Sequence, residues 1–110
     1  MKMKVKELRR IIRENYAREI PQYAIDDTCL KVIKLKMNPS QAADYCREQL
    51  EHYFKMHINS TSNSPADMRY KIVKMHQVFD DMEEEIRKLK NLKDNLKDVV
   101  DQCVRRFLFI

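Results

Sequence analysis

Glycine is wholly missing from this 110-residue chain, where average usage of ~7% would supply about eight. It is the residue of choice for positive φ and for close approach of the backbone to a ligand. Its absence excludes the phosphate-cradling loop, the dinucleotide fingerprint and the G-x-S-x-G nucleophile elbow, which need it at fixed positions. Tight hairpin turns lose their best residue as well, which favours helices joined by short polar loops. Long apolar runs are also missing. Nothing approaches the ~18 consecutive apolar residues of a spanning helix, and Met1 leads into a basic amphipathic stretch rather than an apolar signal core. The expectation is therefore no membrane span, no secretory route and a cytoplasmic location. Cysteine is sparse. Cys29, Cys46 and Cys103 are odd in number and widely spaced, with no C-x-x-C pair and no histidine at zinc-finger spacing. Each falls on or near an apolar helical position, which predicts small buried hydrophobes in a reducing compartment.

What is present points to one compact helical domain spanning 1–110. Apolar residues make up 44% and charged residues 35%, too apolar for a disordered chain and too charged for a membrane protein. The formal net charge of +5 is unevenly spread. Residues 1–37 hold ten Lys/Arg against five Asp/Glu, 38–65 two against three, and 66–110 ten against nine. The excess sits at the N-terminal end.

Val5, Leu8, Ile11, Ile12 and Tyr16 recur at helical spacing and predict a first amphipathic helix over 4–19, ended by Pro21. Lys2, Lys6, Arg9 and Arg13 follow the same spacing on another face, with Arg10 flanking them. Ile25, Cys29 and Val32 carry a helical period over 22–36, while Leu30 through Met37 also tolerates an extended reading; helix is expected because no partner strand is evident elsewhere. Asn38 as N-cap, Pro39 at the first helical position and Gln41 three residues after the cap open a third helix along Ala42, Cys46, Leu50, Tyr53 and His57. These basic N-terminal helices (1–58) are followed by a polar loop over 59–65, and Ser64-Pro65 forms the next cap.

From residue 66 onward the pattern is heptad-like. With Ile72 at position a, the seam reads Ile72, Met75, Phe79, Met82, Ile86, Leu89, Lys93, Leu96, Val100, Cys103, Phe107 and Ile110. Eleven of these twelve are apolar, where a random draw from this composition would give about five. The expectation is an all-α fold: a small helical bundle with one long C-terminal, coiled-coil-like helix over 66–110. Lys93 disturbs the seam, and the weak helix formers Asn91, Asp94 and Asn95 mark a possible break near 91–95. Apolar residues outside the seam (Val73, Val78, Leu92, Val99, Val104) favour homodimerisation through this helix, with Glu85 and Lys90 placed to pair in a parallel dimer.

Candidate chemistry is thin. Glu48 and His52 share a helical face, but two ligands do not make a metal site. Neither Cys46 with His52 nor Cys103 with His76 lies at i,i+4 spacing, so no nucleophile–base pair is formed on one helix. No catalytic residue, metal ligand or cofactor is expected. The acidic run Asp80, Asp81, Glu83, Glu84, Glu85 precedes Arg87, Lys88 and Lys90 and reads as a solvated face laced by i,i+4 pairs. Residues 32–47 match a helix-turn-helix poorly, because Lys34 and Asp44 fall where small or apolar residues are wanted. The last residues, Phe107-Leu108-Phe109-Ile110, either pack into the seam or form a short docking tail.

The basic stripe Lys2, Lys6, Arg9, Arg10, Arg13 is the leading partner-binding candidate. Its density of charge suits an acidic protein surface or, through counterion release, a nucleic acid. In composition alone the chain resembles small phage or viral accessory proteins, with no motif behind that resemblance; host cytoplasm or nucleus would then be its location. The function expected from sequence is a non-catalytic, dimeric regulatory interaction protein, with nucleic-acid binding as the alternative.

Overall fold

A computed structural model describes residues 20–109. They form four helices: α1 (Gln22–Lys34), α2 (Pro39–Thr61), α3 (Pro65–Arg87) and α4 (Leu92–Leu108). There is no strand among the described residues. The predicted first helix, over 4–19, lies outside them.

Local chemistry sets the helix ends. At α2, the Gln41 backbone N–H donates to Asn38 Oδ1 at 2.8 Å while the Asn38 N–H donates to Gln41 Oε1 at 3.1 Å, with Pro39 at the first helical position. This is a reciprocal capping box. Ser64 caps α3 by accepting from the Asp67 N–H at 3.1 Å, and Asn91 caps α4 by accepting from the Asp94 N–H at 3.3 Å. The end of α1 is unusual. Met37 N–H reaches Val32 O and Lys36 N–H reaches Ile33 O, both at 3.1 Å, which closes a Schellman turn. The turn puts Lys36 at φ 52°, a left-handed conformation that normally falls to glycine.

Two sequence expectations need correction. The polar stretch 59–65 is not all loop, because α2 runs on to Thr61. Ser60, Thr61 and Ser62 turn their hydroxyls back onto the carbonyls of Met56, His57 and Ile58 one turn earlier, so the polar side chains are accommodated on the helix itself. The heptad region 66–110 is not one long helix but two. Helix α3 ends at Arg87, the Lys88 and Leu89 N–H groups fold back on Glu85 and Ile86, and Asn91 is extended with φ −127°. The break moves Lys93 out of the seam into solvent and brings Leu92 against the core. A continuous helix would have left that charge at a core position.

Neighbouring helices run antiparallel. Tyr23 lies beside Tyr53 while Thr28 lies beside Gln49, which orients α1 against α2. Arg87 reaches Asp44 and Lys71 reaches Thr61, which orients α2 against α3. Each helix packs on the next, and α1 closes the ring by packing on α4. At the centre, Phe54 is sandwiched between Phe79 (centroids 4.6 Å apart) and Phe107 (4.4 Å), one ring from each of α2, α3 and α4. All three are buried. Met75, Val78, Met82, Ile86, Leu96 and Val100 fill the rest of the α3–α4 side, and Ile25, Val32, Ala42, Cys46 and Leu50 the α1–α2 side.

Phe54→Ala should cost about 3–5 kcal/mol, because it removes a ring that two others lean on. Urea denaturation followed by circular dichroism measures this. Lys36→Gly should act in the opposite sense and raise stability by about 1 kcal/mol, since it relieves the left-handed penalty. A neutral or destabilising effect in the same assay would contradict that account.

Candidate functional site

The five basic residues singled out from the sequence, Lys2, Lys6, Arg9, Arg10 and Arg13, lie outside the described residues. The structure does place the point where their segment joins the bundle. Ile20 is only 7% exposed and belongs to the core cluster, and Pro21 occupies the N-cap of α1. Residues 1–19 hold seven Lys/Arg against three Asp/Glu, whereas 20–110 hold fifteen against fourteen. The bundle is close to neutral, and the segment attached to it is not.

The seam residues are accounted for within one chain. Met75, Phe79, Met82, Ile86, Leu96, Val100, Cys103 and Phe107 are buried, while Ile72 and Leu89 pack half-buried against the same core. They face the other helices of the bundle, and Val78 and Val104, two of the apolar residues outside the seam, are buried with them. Phe107 joins the core stack, and Phe109 is exposed beyond it.

The acidic run does form the expected i,i+4 pairs, Lys88–Glu84 at 2.9 Å and Arg87–Glu83 at 3.7 Å. It also ties helices together, which helical spacing alone does not reveal. Arg47 of α2 pairs with Asp80 at 3.0 Å and Glu83 at 3.4 Å, places its guanidinium 5.6 Å from the Phe79 ring centroid, and lies 3.1 Å from His76 Nδ1. Its side chain is 27% exposed and that of Glu83 only 13%. Partial burial works against the Arg47 charge, but the Asp80 and Glu83 carboxylates outweigh it and hold the guanidinium above its ordinary range. Arg106–Asp81 at 2.9 Å performs the same service between α4 and α3, and Lys97–Asp26 at 3.0 Å between α4 and α1. Lys97 and Gln22 hold the Asp26 carboxyl below its usual value.

The cysteines are placed as small hydrophobes. Cys29, Cys46 and Cys103 are free and buried on α1, α2 and α4, and the Cys103 thiol donates weakly to Val78 O at 3.8 Å. Burial pushes the Cys29 thiol up to about 11 and the Cys46 and Cys103 thiols up to about 12. The thiolate is the nucleophilic form, so such groups are inert at neutral pH. Among the described residues no group of three or more His, Cys, Asp or Glu side chains is arranged to hold a metal ion. Nor is any described helix long and apolar enough to cross a membrane. Comparison with protein-family models, with curated proteins and with solved structures returned no match.

The raised thiols imply an alkaline weakness. An unfolded thiol ionises near its ordinary value of 9.0, whereas the folded ones hold their protons to about 11 or 12. Through that window the unfolded state binds fewer protons, so stability is intact below pH 9 and declines as pH rises. Urea midpoints measured from pH 8 upward should fall more steeply in the parent than in Cys103→Ala. Parallel slopes would refute the assignment.

Proposed function

We propose that this chain is a non-catalytic interaction protein in which the four-helix bundle carries the basic segment 1–19 to an acidic protein surface. The observation that carries the reading is the separation of charge: fifteen Lys/Arg against fourteen Asp/Glu over 20–110, but seven against three over 1–19. Within the bundle many cations already have carboxylate partners, among them Arg47, Arg87, Lys88, Lys97 and Arg106. A chain that compensates its charges on the bundle and concentrates the remainder on one short amphipathic segment presents a localised field. Such a field steers encounter with an oppositely charged partner and fixes the orientation of docking. Buried, protonated thiols and a backbone without glycine accord with binding rather than turnover. Self-association through the heptad seam is a weaker reading, because a dimer formed there would compete with the bundle for the same side chains.

The test is affinity capture from the cell of origin, using the full chain and the triple variant Lys6→Glu, Arg9→Glu, Arg13→Glu. The triple variant should lose the captured protein while its helical circular dichroism is unchanged. Retention of the same partner would overturn the proposal. A low-salt gel shift with DNA or RNA, lost in the triple variant and steeply weakened by salt, would instead identify a nucleic acid as the partner.

A further inference from the structure

A cleft of about 290 Å³ opens between the first turns of α1 and the middle of α2, lined by Tyr23, Ala24, Asp27, Thr28, Gln49 and Tyr53. Its two aromatic walls stand nearly at right angles, with ring centroids 6.5 Å apart and planes at 86°. Tyr23 is 63% exposed, so its ring is open to a ligand from solvent. Tyr53 is half-buried and has the exposed His52 ring edge-on at 5.6 Å. The floor is small: Ala24 is buried, and Thr28 turns its hydroxyl away onto the Ala24 carbonyl at 2.7 Å.

The chemistry of these walls selects a sign of charge. Aromatic faces carry negative quadrupole potential and attract cations, most effectively diffuse ones. Asp27 adds a full negative charge at the rim; its Oδ2 pairs with Lys31 at 3.2 Å, an i,i+4 contact between two side chains that are each at least half exposed. Pairs of that kind exchange partners readily. Partial burial, the Tyr23 phenol and the Asp27 carboxylate together raise the Tyr53 phenol above its ordinary value. An anion would meet the Asp27 carboxylate beside the two tyrosine rings. An apolar group would leave the carboxylate and the Gln49 amide poorly solvated.

We propose that the Tyr23–Tyr53 cleft is a binding site for a diffuse cation at the end of a partner protein's side chain, a methylated lysine or an arginine. A choline headgroup shares the ammonium chemistry, but its phosphate would have to sit beside the Asp27 carboxylate at the rim, which repels it. The proposal does not draw on the reading placed on residues 1–19, because it is argued from Tyr23, Asp27 and Tyr53 alone.

The test is an NMR titration of the full chain that follows the Tyr23 and Tyr53 ring resonances. The probes are N-acetyl-trimethyllysine amide, N-acetyl-arginine amide and the neutral N-acetyl-norleucine amide. The two cations should shift both rings saturably and the neutral probe should not. Tyr23→Phe should retain binding, Tyr23→Leu should abolish it, and Asp27→Asn should weaken it by about tenfold. Tyr23 is exposed, so these variants leave the core untouched, and the triple variant at Lys6, Arg9 and Arg13 should bind the probes as the parent does. Equal shifts with norleucine, no saturable shift with either cation, or full binding by Tyr23→Leu would each overturn the proposal. So would a clear preference for phosphocholine vesicles over the peptide probes.

Discussion

Phe54 has an aromatic neighbour on each face, and that single arrangement constrains three of the four helices at once. A ring stacked on both sides fixes the rotation of α2 about its axis, because only one helical face can point at both Phe79 and Phe107. The same contacts fix the depth at which α3 and α4 sit beside it. Stacked rings at these separations are among the most geometry-dependent apolar contacts a core can make. The aliphatic residues then fill space around a frame already set. Helix α1 is the exception: it contributes no ring to the stack and is held by Ile25, Cys29 and Val32 below and by the Asp26–Lys97 pair above.

The ion pairs follow from that frame. Arg47 lies about two turns before Phe54 on α2, and Asp80 follows Phe79 directly on α3, so stacking the rings brings the charges together along the same groove. Arg106 precedes Phe107 on α4 and meets Asp81 in the same way. The acidic run on α3 thus serves both neighbours, α2 through Asp80 and Glu83 and α4 through Asp81. Charge on this surface holds register more than it adds stability, since exposed pairs are individually weak.

Much of this fold could be read from the residues alone, and the rest for definite reasons could not. The cap at Asn38-Pro39-Gln41 and the one at Ser64-Pro65 were legible because both depend on local hydrogen bonds. Of the apolar seam from Ile72 to Phe107, eight residues are buried and Ile72 and Leu89 half-buried, since a heptad period records burial. It did not show whether the burying surface came from another chain or from the same one, because a period carries no information about the partner. The break after Arg87 was half visible in Lys93 and the Asn91–Asn95 cluster, yet its position depended on Leu92 finding room in the core. Arg47 with Asp80, and Tyr23 with Tyr53, are separated by about thirty residues or more, and no spacing rule joins them. The basic segment, read from its charge and its apolar period, lies outside the described residues.

The order of packing has a consequence for how the chain reaches this state. Three of the four most extensive helix interfaces join elements adjacent in sequence, across connections of only a few residues; the α1–α4 interface and the Phe54–Phe107 stack between α2 and α4 join more distant parts. Each antiparallel hairpin closes a short loop at small entropic cost, and chains dominated by such local contacts fold within microseconds to milliseconds. Closing α1 onto α4 is the one step that must bring the two ends of the described chain together. A bundle assembled in that order exposes its central rings only briefly. That is a useful property for a sequence with several long apolar side chains and no glycine to ease a misplaced turn.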